Sequence, residues 1–570
     1  MTLILHMKTV LIIGGGISGL VSSINLSNQG YKVILIEKND KLGGRLYQEK
    51  IGDYILNNGP SWYWLPSVIN NVYKKLGINE KDIYKLIRLD PQYKIIFDKN
   101  EFNIPNNFLH TKSLFESLDL GITNRFIKFM KTTKYKFEKG LSKFINYENL
   151  SILEYINLKL FYYIYNFELF NSYRNVCNKV SKNDFIRKIL EWPSLFIGSG
   201  PKNMTSLYTL LTYSMLKEGT YIPNKRGMIE IVNLLTKYCF KKGVIVFTNT
   251  ELIDFNCFKN KIISARVKYL KTNELDNYKF DYIINSADYY HIEKKLLNHY
   301  RSYPKSYWDK LESCPSALLF NICLKIKIPK LQFHNLFFKG SLDEHINCIY
   351  KKKKLPHKPL FYVNITTKIF KQDAPKGHET LFILVPSPPN VELDSYDIEN
   401  VYNYIINELE EYCQINIKNN ITQKKVFSNK NFGDKYNSFK NNSYGISCDK
   451  FQNIFIRPKI KSLYLDNLYF CGQTTFPGPG IAPCMISGLN SSNKLIDDDK
   501  KNKLNNEINT RYDTLIYYIS KTKYVFFRLL THFFTLLFIV GFNRDLYYGM
   551  KREFKYLVYN KLKHQNNYDL

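Results

Sequence analysis

None of the ten cysteines, at 177, 239, 257, 314, 323, 348, 413, 448, 471 and 484, forms a C-x-x-C pair or stands at a metal-ligand spacing. This argues against a zinc module and a disulfide scaffold, and scattered thiols suit a reduced, cytosol-facing protein. Zinc-finger, RRM and basic-region patterns are also missing, so the formal net charge of +31 has no nucleic-acid-binding signature to go with it. No nucleic-acid partner is expected. Lys, Asn, Ile and Tyr are abundant together, as AT-rich codons would produce, which accounts for part of the charge. Attraction to an anionic membrane stays open. The apolar start, TLILHMKTVLII, lacks the charged beginning and small-residue cleavage site of a secretory signal. It reads as a β-strand, and Met7 could serve as the start. There is no internal repeat and no long low-complexity linker; the polar run DDDKKNKLNNE (497–507) reads as a boundary.

What is present begins with size. A chain of 570 residues exceeds one ordinary core and suggests two or three units, and 45% apolar residues supply enough material for them. Residues 8–37, KTVLIIGGGISGLVSSINLSNQGYKVILIE, contain a buried strand, a Gly-rich turn, a helix that Gly30 ends, and a second strand closed by Glu37. Gly14, Gly16 and Gly19 form G-x-G-x-x-G. The first makes the tight turn, the second admits a pyrophosphate, and the third lets helix and strand pack closely. The helix N-terminus faces the phosphates. Glu37, about 20 residues on, can take both ribose hydroxyls and would repel a 2′-phosphate. GSGPKN (198–203) and GPGIAP (478–483) lack the third glycine, so one dinucleotide is expected.

Directly after Glu37, KNDKLGGR ends in Gly43, Gly44 and Arg45, and YILNNGPSW (54–62) carries Gly59 and Pro60. Far downstream, LYFCGQTTFPGPGIAPCMISG (468–488) reads as strand, Gly-Pro loop and helix start. This set resembles the flavin amine oxidase and carotenoid desaturase superfamily, most closely the bacterial and fungal type of phytoene desaturase. Further blocks agree in order, among them LDPQYKIIF (89–97), GTYIPNKRGMIEIVNLL (219–235), LQFHNLFF (331–338), APKGHETLFILVPSPP (374–389) and IRPK (456–459). The resemblance covers about residues 7–498. It implies FAD, with Gly44 and Arg45 against the cofactor and Gly59 and Pro60 near the flavin. Leu252 should touch adenine. Gly472 and Gln473 meet the pyrophosphate and ribityl chain, and Gly480 lies close to the ring. The helix from Ile481 aims its N-terminus at the flavin edge that turns negative on reduction. The family usually has Asp where Asn58 stands.

The implied fold is α/β. A discontinuous Rossmann-like FAD-binding domain (7–60, 225–300, 440–498) is joined to an α+β substrate domain (61–224, 301–439) and a tail (499–570). Within the middle part, 241–255 reads as one strand. The stripe SILEYINLKLFYYIYNFELF (151–170) is either core or lipid-facing. Residues 524–542 form an apolar run of about 28 Å at helical rise, near a bilayer core, with Arg528 and His532 as its costly members. A C-terminal hydrophobic helix that either anchors the protein across the membrane or lies at its interface is expected, in a membrane-associated protein whose catalytic domain faces the cytosol. The implied reaction is desaturation of a long apolar polyene, phytoene or a relative, with oxygen or a quinone as final electron acceptor. The catalytic base is unknown; His334 and Asp288 are candidates by block, and a structural role suits each better. Cys471 and Cys484 read as small packing residues. Other readings are a carotenoid isomerase, saturase or oxygenase of the same fold, a membrane-anchored amine oxidase, or a prenyl-binding chaperone without FAD.

Overall fold

The computed structural model describes residues 7–143, 167–296, 298–449, 452 and 457–508. Its strand β1 (Thr9–Ile13) has four buried residues in succession. A strand without a polar face must lie in a sheet covered on both sides, the environment of a parallel sheet. β1 pairs in parallel with β2 (Lys32–Ile36), which pairs with β3 (Ile245–Phe247). On its other side β1 pairs with β4 (Tyr282–Asn285), which pairs with β5 (Leu468–Phe470). The order β5-β4-β1-β2-β3 makes the chain leave β1 to one side and return on the other. A crevice opens at the carboxyl ends where the direction reverses.

Helices α1 (Ile17–Ser27) and α2 (Ile481–Ile508) pack against each other on one face of this sheet. They approach closely because Gly488 stands against Ser18: a Cβ there would lie 2.5 Å from the Ser18 carbonyl oxygen. Ser22 Oγ also donates to the Gly488 carbonyl at 2.9 Å. The other face is covered by an antiparallel sheet of Thr250–Phe258, Lys261–Tyr269 and Leu275–Lys279, through Leu252, Ile262, Ala265 and Val267. The stretch 241–255 is therefore not one strand. A helix ends at Lys241, β3 follows, Asn249 turns with φ +50°, and Thr250 starts a strand of the second sheet.

The polar run 497–507 is also not a break in the fold. It continues α2, and its acids hold the start of β1 and its neighbours. Asp499 pairs with Lys8 and accepts from Tyr31 (2.7 Å) and Tyr282 (2.8 Å), while Asp498 accepts from Tyr469 (2.8 Å). In sequence the run is only polar; in space Asp498 and Asp499 each have a tyrosine and a lysine from outside the helix beside them.

A seven-stranded mixed sheet forms the second layer. Its order is Ile421–Phe427, Ser316–Leu324, Glu379–Ser387, Phe361–Asn364, His334–Phe337, Tyr93–Ile96 and Glu101–Ile104. Only the His334–Phe337 and Tyr93–Ile96 pair is parallel. Side chains alternate between faces. Leu318, Phe320, Ile322, Leu381, Ile383 and Val385 pack beneath the helix Ser395–Cys413, against Val401, Ile405 and Leu409. Ala317, Leu319, Phe382 and Leu384 face the opposite way and line a cavity.

Among the described residues no helix is long and apolar enough to cross a membrane. The run 524–542 and most of the stripe 151–170 lie outside the described residues.

Candidate active site

The cavity, about 500 Å³, begins at the crevice of the parallel sheet. Gly14 has φ +97° and donates to the Ile36 carbonyl at 2.8 Å; a Cβ on it would lie 2.9 Å from the Ala287 nitrogen. A Cβ at Gly16 would meet nothing within 4 Å, so this backbone opens directly onto the cavity. Gly19 does not line the cavity. It lies one turn into α1, where a Cβ would come within 2.1 Å of the Gly14 carbonyl oxygen, so it serves the packing that shapes the loop. Glu37 reaches the same loop: Oε2 accepts from the Gly15 N–H at 2.8 Å, and Oε1 from the Asn39 N–H at 2.8 Å and the Asn39 amide at 2.7 Å.

The segment after Glu37 folds back under the loop. Gly43 donates to the Gly15 carbonyl at 2.8 Å, and Gly44 has φ +60°. Gly59, at φ +98°, leaves no room for a side chain, since a Cβ would sit 1.9 Å from the Arg45 carbonyl oxygen. The Arg45 guanidinium donates to Ser438 Oγ and to the Asn442 carbonyl (3.2 Å), and lies 5.6 Å from the centre of the Tyr436 ring. Burial lowers its pKa, and the Asp288 carboxylate pulls it back up.

The returning loop closes the polar end. The Gly472 N–H donates to Ser487 Oγ at 2.9 Å, and Gly478 and Gly480 have φ +118° and +114°. The buried Arg457 holds this loop from behind, donating to the carbonyls of Gln473 (3.2 Å) and Thr474 (3.4 Å) and, on its other side, to Ile446 (2.9 Å). The N-terminus of α2, at Ile481, opens into the cavity beside Gly480.

Beyond Gly59 the lining changes character. Trp62, Trp64 and Trp192 line it together with Leu319, Phe382 and Leu384 of the mixed sheet and with Leu207 and Leu211. The acids that line the cavity, Glu37, Glu251 and Asp288, all belong to the crevice end. Thus Gly14, Gly16, Glu37, Gly44, Arg45, Gly59, Pro60, Leu252, Gly472, Gln473, Gly480 and Ile481 share one cavity, though they are scattered over more than four hundred positions.

The family described as flavin-containing amine oxidoreductase matches residues 17–496. The chain belongs to this family. Among named relatives, the carotenoid 3,4-desaturase of Haloarcula japonica is 27% identical over 495 residues, 86% of this chain and 98% of that protein. The 4,4'-diapophytoene desaturase of Staphylococcus aureus is 25% identical over 506 residues, 86% and 99% of the two chains. In fold, an oxidoreductase from Methanosarcina mazei superposes with a TM-score of 0.56 at 14% identity, over 84% of this chain and 99% of that one. A putrescine oxidase variant superposes with a TM-score of 0.54 at 13% identity, over 86% and 99%.

This flavoenzyme's cofactor is FAD, and its cavity suits that group. Two buried donors at the cavity, Arg45 Nε and Asn58 Nδ2, have no partner among the described residues. Buried donors are rarely left unpaired, and the carbonyls and phosphates of a flavin dinucleotide supply acceptors. Asn58 is oriented for this because its Oδ1 accepts from Asn321 Nδ2 at 2.9 Å, which leaves the NH₂ facing away. Asp288 caps a helix instead, its oxygens accepting from the His291 (3.0 Å) and Phe439 (2.9 Å) N–H groups. Burial pushes the Cys471 thiol up to about 12 and that of Cys484 up to about 11, so neither is a thiolate.

Sequence reasoning missed Arg457, the three tryptophans, the Asn58–Asn321 pair and His291, which lines the crevice and is lowered to about 4 by burial and the nearby Lys295. IRPK was recognised as a block without a role. The tryptophans carried a weak signal, W-Y-W next to the Gly-Pro loop.

Proposed function

We propose that the protein is a carotenoid desaturase, which removes two hydrogens from a C–C single bond beside a polyene, with phytoene or a related acyclic carotene as substrate. One observation carries the reading: a single cavity joins the glycine loop to an apolar wall of tryptophan, leucine and phenylalanine without a charged side chain. An amine substrate would call for a carboxylate at the apolar end, where the lining offers none. A chaperone without cofactor would leave the Arg45 and Asn58 donors buried and unpaired at a cost of roughly 1–3 kcal/mol each. The carotenoid names of the relatives point the same way.

In this reading Gly14, Gly16 and the N-terminus of α1 take the pyrophosphate, Glu37 the ribose hydroxyls, and Leu252 the adenine. Gly44, Arg45, Gly59 and Pro60 lie along the flavin half, with Gly472, Gln473, Gly480 and Ile481 closing over it. Bound FAD supplies the two-electron acceptor. The protein orients a long apolar chain, and its aromatic wall keeps water from the reacting carbons. The start of α2 places partial positive charge where the cofactor gains electrons. Oxygen or a quinone then takes the electrons. Residues 7–60, 225–300 and 440–498 form the FAD-binding domain, 61–224 and 301–439 the substrate domain. The run 524–542 anchors the enzyme to a membrane, its catalytic part facing the cytosol.

The test is expression in cells that accumulate phytoene, followed by pigment extraction. Coloured, longer-conjugated carotenes are expected; unchanged phytoene beside FAD-loaded protein would reject the reading.

A further inference from the structure

Losing two hydrogens as a hydride and a proton requires a place for the proton, and no carboxylate lines the apolar end of the cavity. Among the hydroxyls that line the cavity, Ser61 and Tyr362 lie 2.7 Å apart. Tyr362 Oη also lies 2.6 Å from Nδ1 of His334, a histidine that is 1% exposed and outside the cavity wall. The direction of these bonds can be deduced. The Asn364 amide nitrogen donates to the Phe333 carbonyl at 2.8 Å, which fixes it as the NH₂ group, and the same nitrogen lies 3.4 Å from His334 Nδ1. Nδ1 therefore faces a donor on one side and must be the bare nitrogen. The tyrosine hydrogen then points at Nδ1, and Ser61 donates to Tyr362.

The imidazole is held by more than these bonds. Its ring lies flat on Trp62, with centroids 3.9 Å apart and planes 9° from parallel. Its Nε2 has no partner among the described residues. A purely structural buried histidine usually satisfies both nitrogens, as His345 does, between the Pro386 carbonyl (3.0 Å) and the Leu360 N–H (2.9 Å). His334 instead has one nitrogen committed to a cavity hydroxyl and an indole face against which a cationic ring would be stabilised.

We propose that Ser61, Tyr362 and His334 form the proton-accepting relay of the desaturation, an inference that rests on the function proposed above. One carbon of the reacting bond gives up hydrogen and both electrons to the flavin as oxidant. At the neighbouring carbon the C–H electron pair becomes the second bond of the new double bond, and its proton passes to Tyr362 Oη. The proton already on Oη moves to His334 Nδ1, forming imidazolium on the face of Trp62, and Ser61 keeps its hydrogen bond to the tyrosine oxygen. Burial holds the resting imidazole well below its ordinary value, so the bare nitrogen is available throughout the neutral range. A weak acceptor suffices, because a C–H bond next to a carbon that has lost hydride is strongly acidic. Tyr362 is the acceptor, and His334 acts through it as a positioning residue.

Wild-type, Y362F, H334Q and S61A proteins, each checked for equal FAD content, would be assayed on phytoene in liposomes, with substrate deuterated in turn at the two carbons. Y362F is expected to lower turnover at least tenfold with KM little changed. It should raise the isotope effect only at the carbon that loses the proton. H334Q should act in the same direction, and the double variant Y362F/H334Q should be no worse than Y362F alone. Independent of turnover, ¹⁵N spectra of histidine-labelled protein should show His334 with a bare Nδ1 at neutral pH. If Y362F does not retain FAD, S61A, which removes only a hydroxyl, should still lower turnover several-fold with the same isotope pattern. Wild-type-like turnover and isotope effects in Y362F, or in S61A where Y362F does not load, would overturn the relay. So would multiplying losses in the double variant or a hydrogen on Nδ1. An inactive wild type would overturn the function and the relay together, whereas an active wild type beside an unaffected variant overturns the relay alone.

Discussion

The parallel and mixed sheets build the two ends of one cavity by opposite means. The parallel sheet offers its carboxyl edge, where glycines bring bare backbone to the cavity and the Glu37 carboxylate holds the glycine loop. The mixed sheet offers one of its faces, where Ala317 and Leu319 of Ser316–Leu324 and Phe382 and Leu384 of Glu379–Ser387 line the cavity. At the first end a site is made by removing side chains; at the second it is made by which side chains remain. The first is intolerant of substitution, and the second is graded.

The strongest test of the contrast is Glu37→Arg. It removes the acceptor for the Gly15 and Asn39 N–H groups and puts a cation at the crevice. FAD affinity should fall by at least ~3 kcal/mol, a hundredfold or more, measured as flavin bound per protein. A variant that purifies with full FAD would mean that the crevice does not hold the dinucleotide.

Next comes a pair of neighbours on one strand. Ile383 is wholly buried beneath the helix Ser395–Cys413, while Leu384 faces the cavity. Ile383→Ala should cost about 3 kcal/mol of unfolding free energy, the usual price of an empty core position. Leu384→Ala should cost under ~1.5 kcal/mol, because part of its surroundings is already open. Its visible effect should be a changed carotene product pattern. Denaturant melts of the two proteins would compare them directly, and equal losses would mean that Leu384 is packed as core.

Between these in size lies a pH effect at the mixed-sheet end. Burial lowers His345 to about 4, against about 6.5 in the unfolded chain. Between those values the unfolded chain binds a proton that the fold does not. Stability is therefore complete above about pH 6.5 and is lost as pH falls toward 4, by on the order of 2–3 kcal/mol. His345→Gln should flatten that part of the curve; an unchanged slope would assign it to other groups.

The least effect on the fold is expected from Trp62→Phe, which keeps an aromatic face over His334. FAD content should be unchanged and turnover reduced only several-fold.

How much of this was readable from the chain follows the same division. Gly14, Gly16, Gly44 and the returning Gly472–Ile481 loop were legible because each answers a local backbone demand, a positive φ, a close approach or a helix start, and Glu37 and Arg45 because they stand at fixed short spacings from those glycines. Such demands are written in a few adjacent letters. Gly19 was legible as a motif member, and the structure assigns it to packing. The run 241–255 misled because a strand-like composition does not show the turn at Asn249 that moves the chain to another sheet. The run 497–507 misled because polarity alone cannot show that Asp498 and Asp499 meet tyrosines from three other elements.

The sequence by itself determined the glycine loop, the turn that follows Glu37 and the strand–loop–helix of the returning segment, since each of these is built from residues close in number. Only the tertiary structure decided that Arg457 braces the returning loop, that Asn58 keeps a free amide facing the cavity, and that Trp62 carries His334 beside Tyr362. Each of those arrangements joins residues from separate elements. A side chain's role there is set by which neighbour satisfies its polar atoms, and that neighbour is chosen by strand register and sheet order.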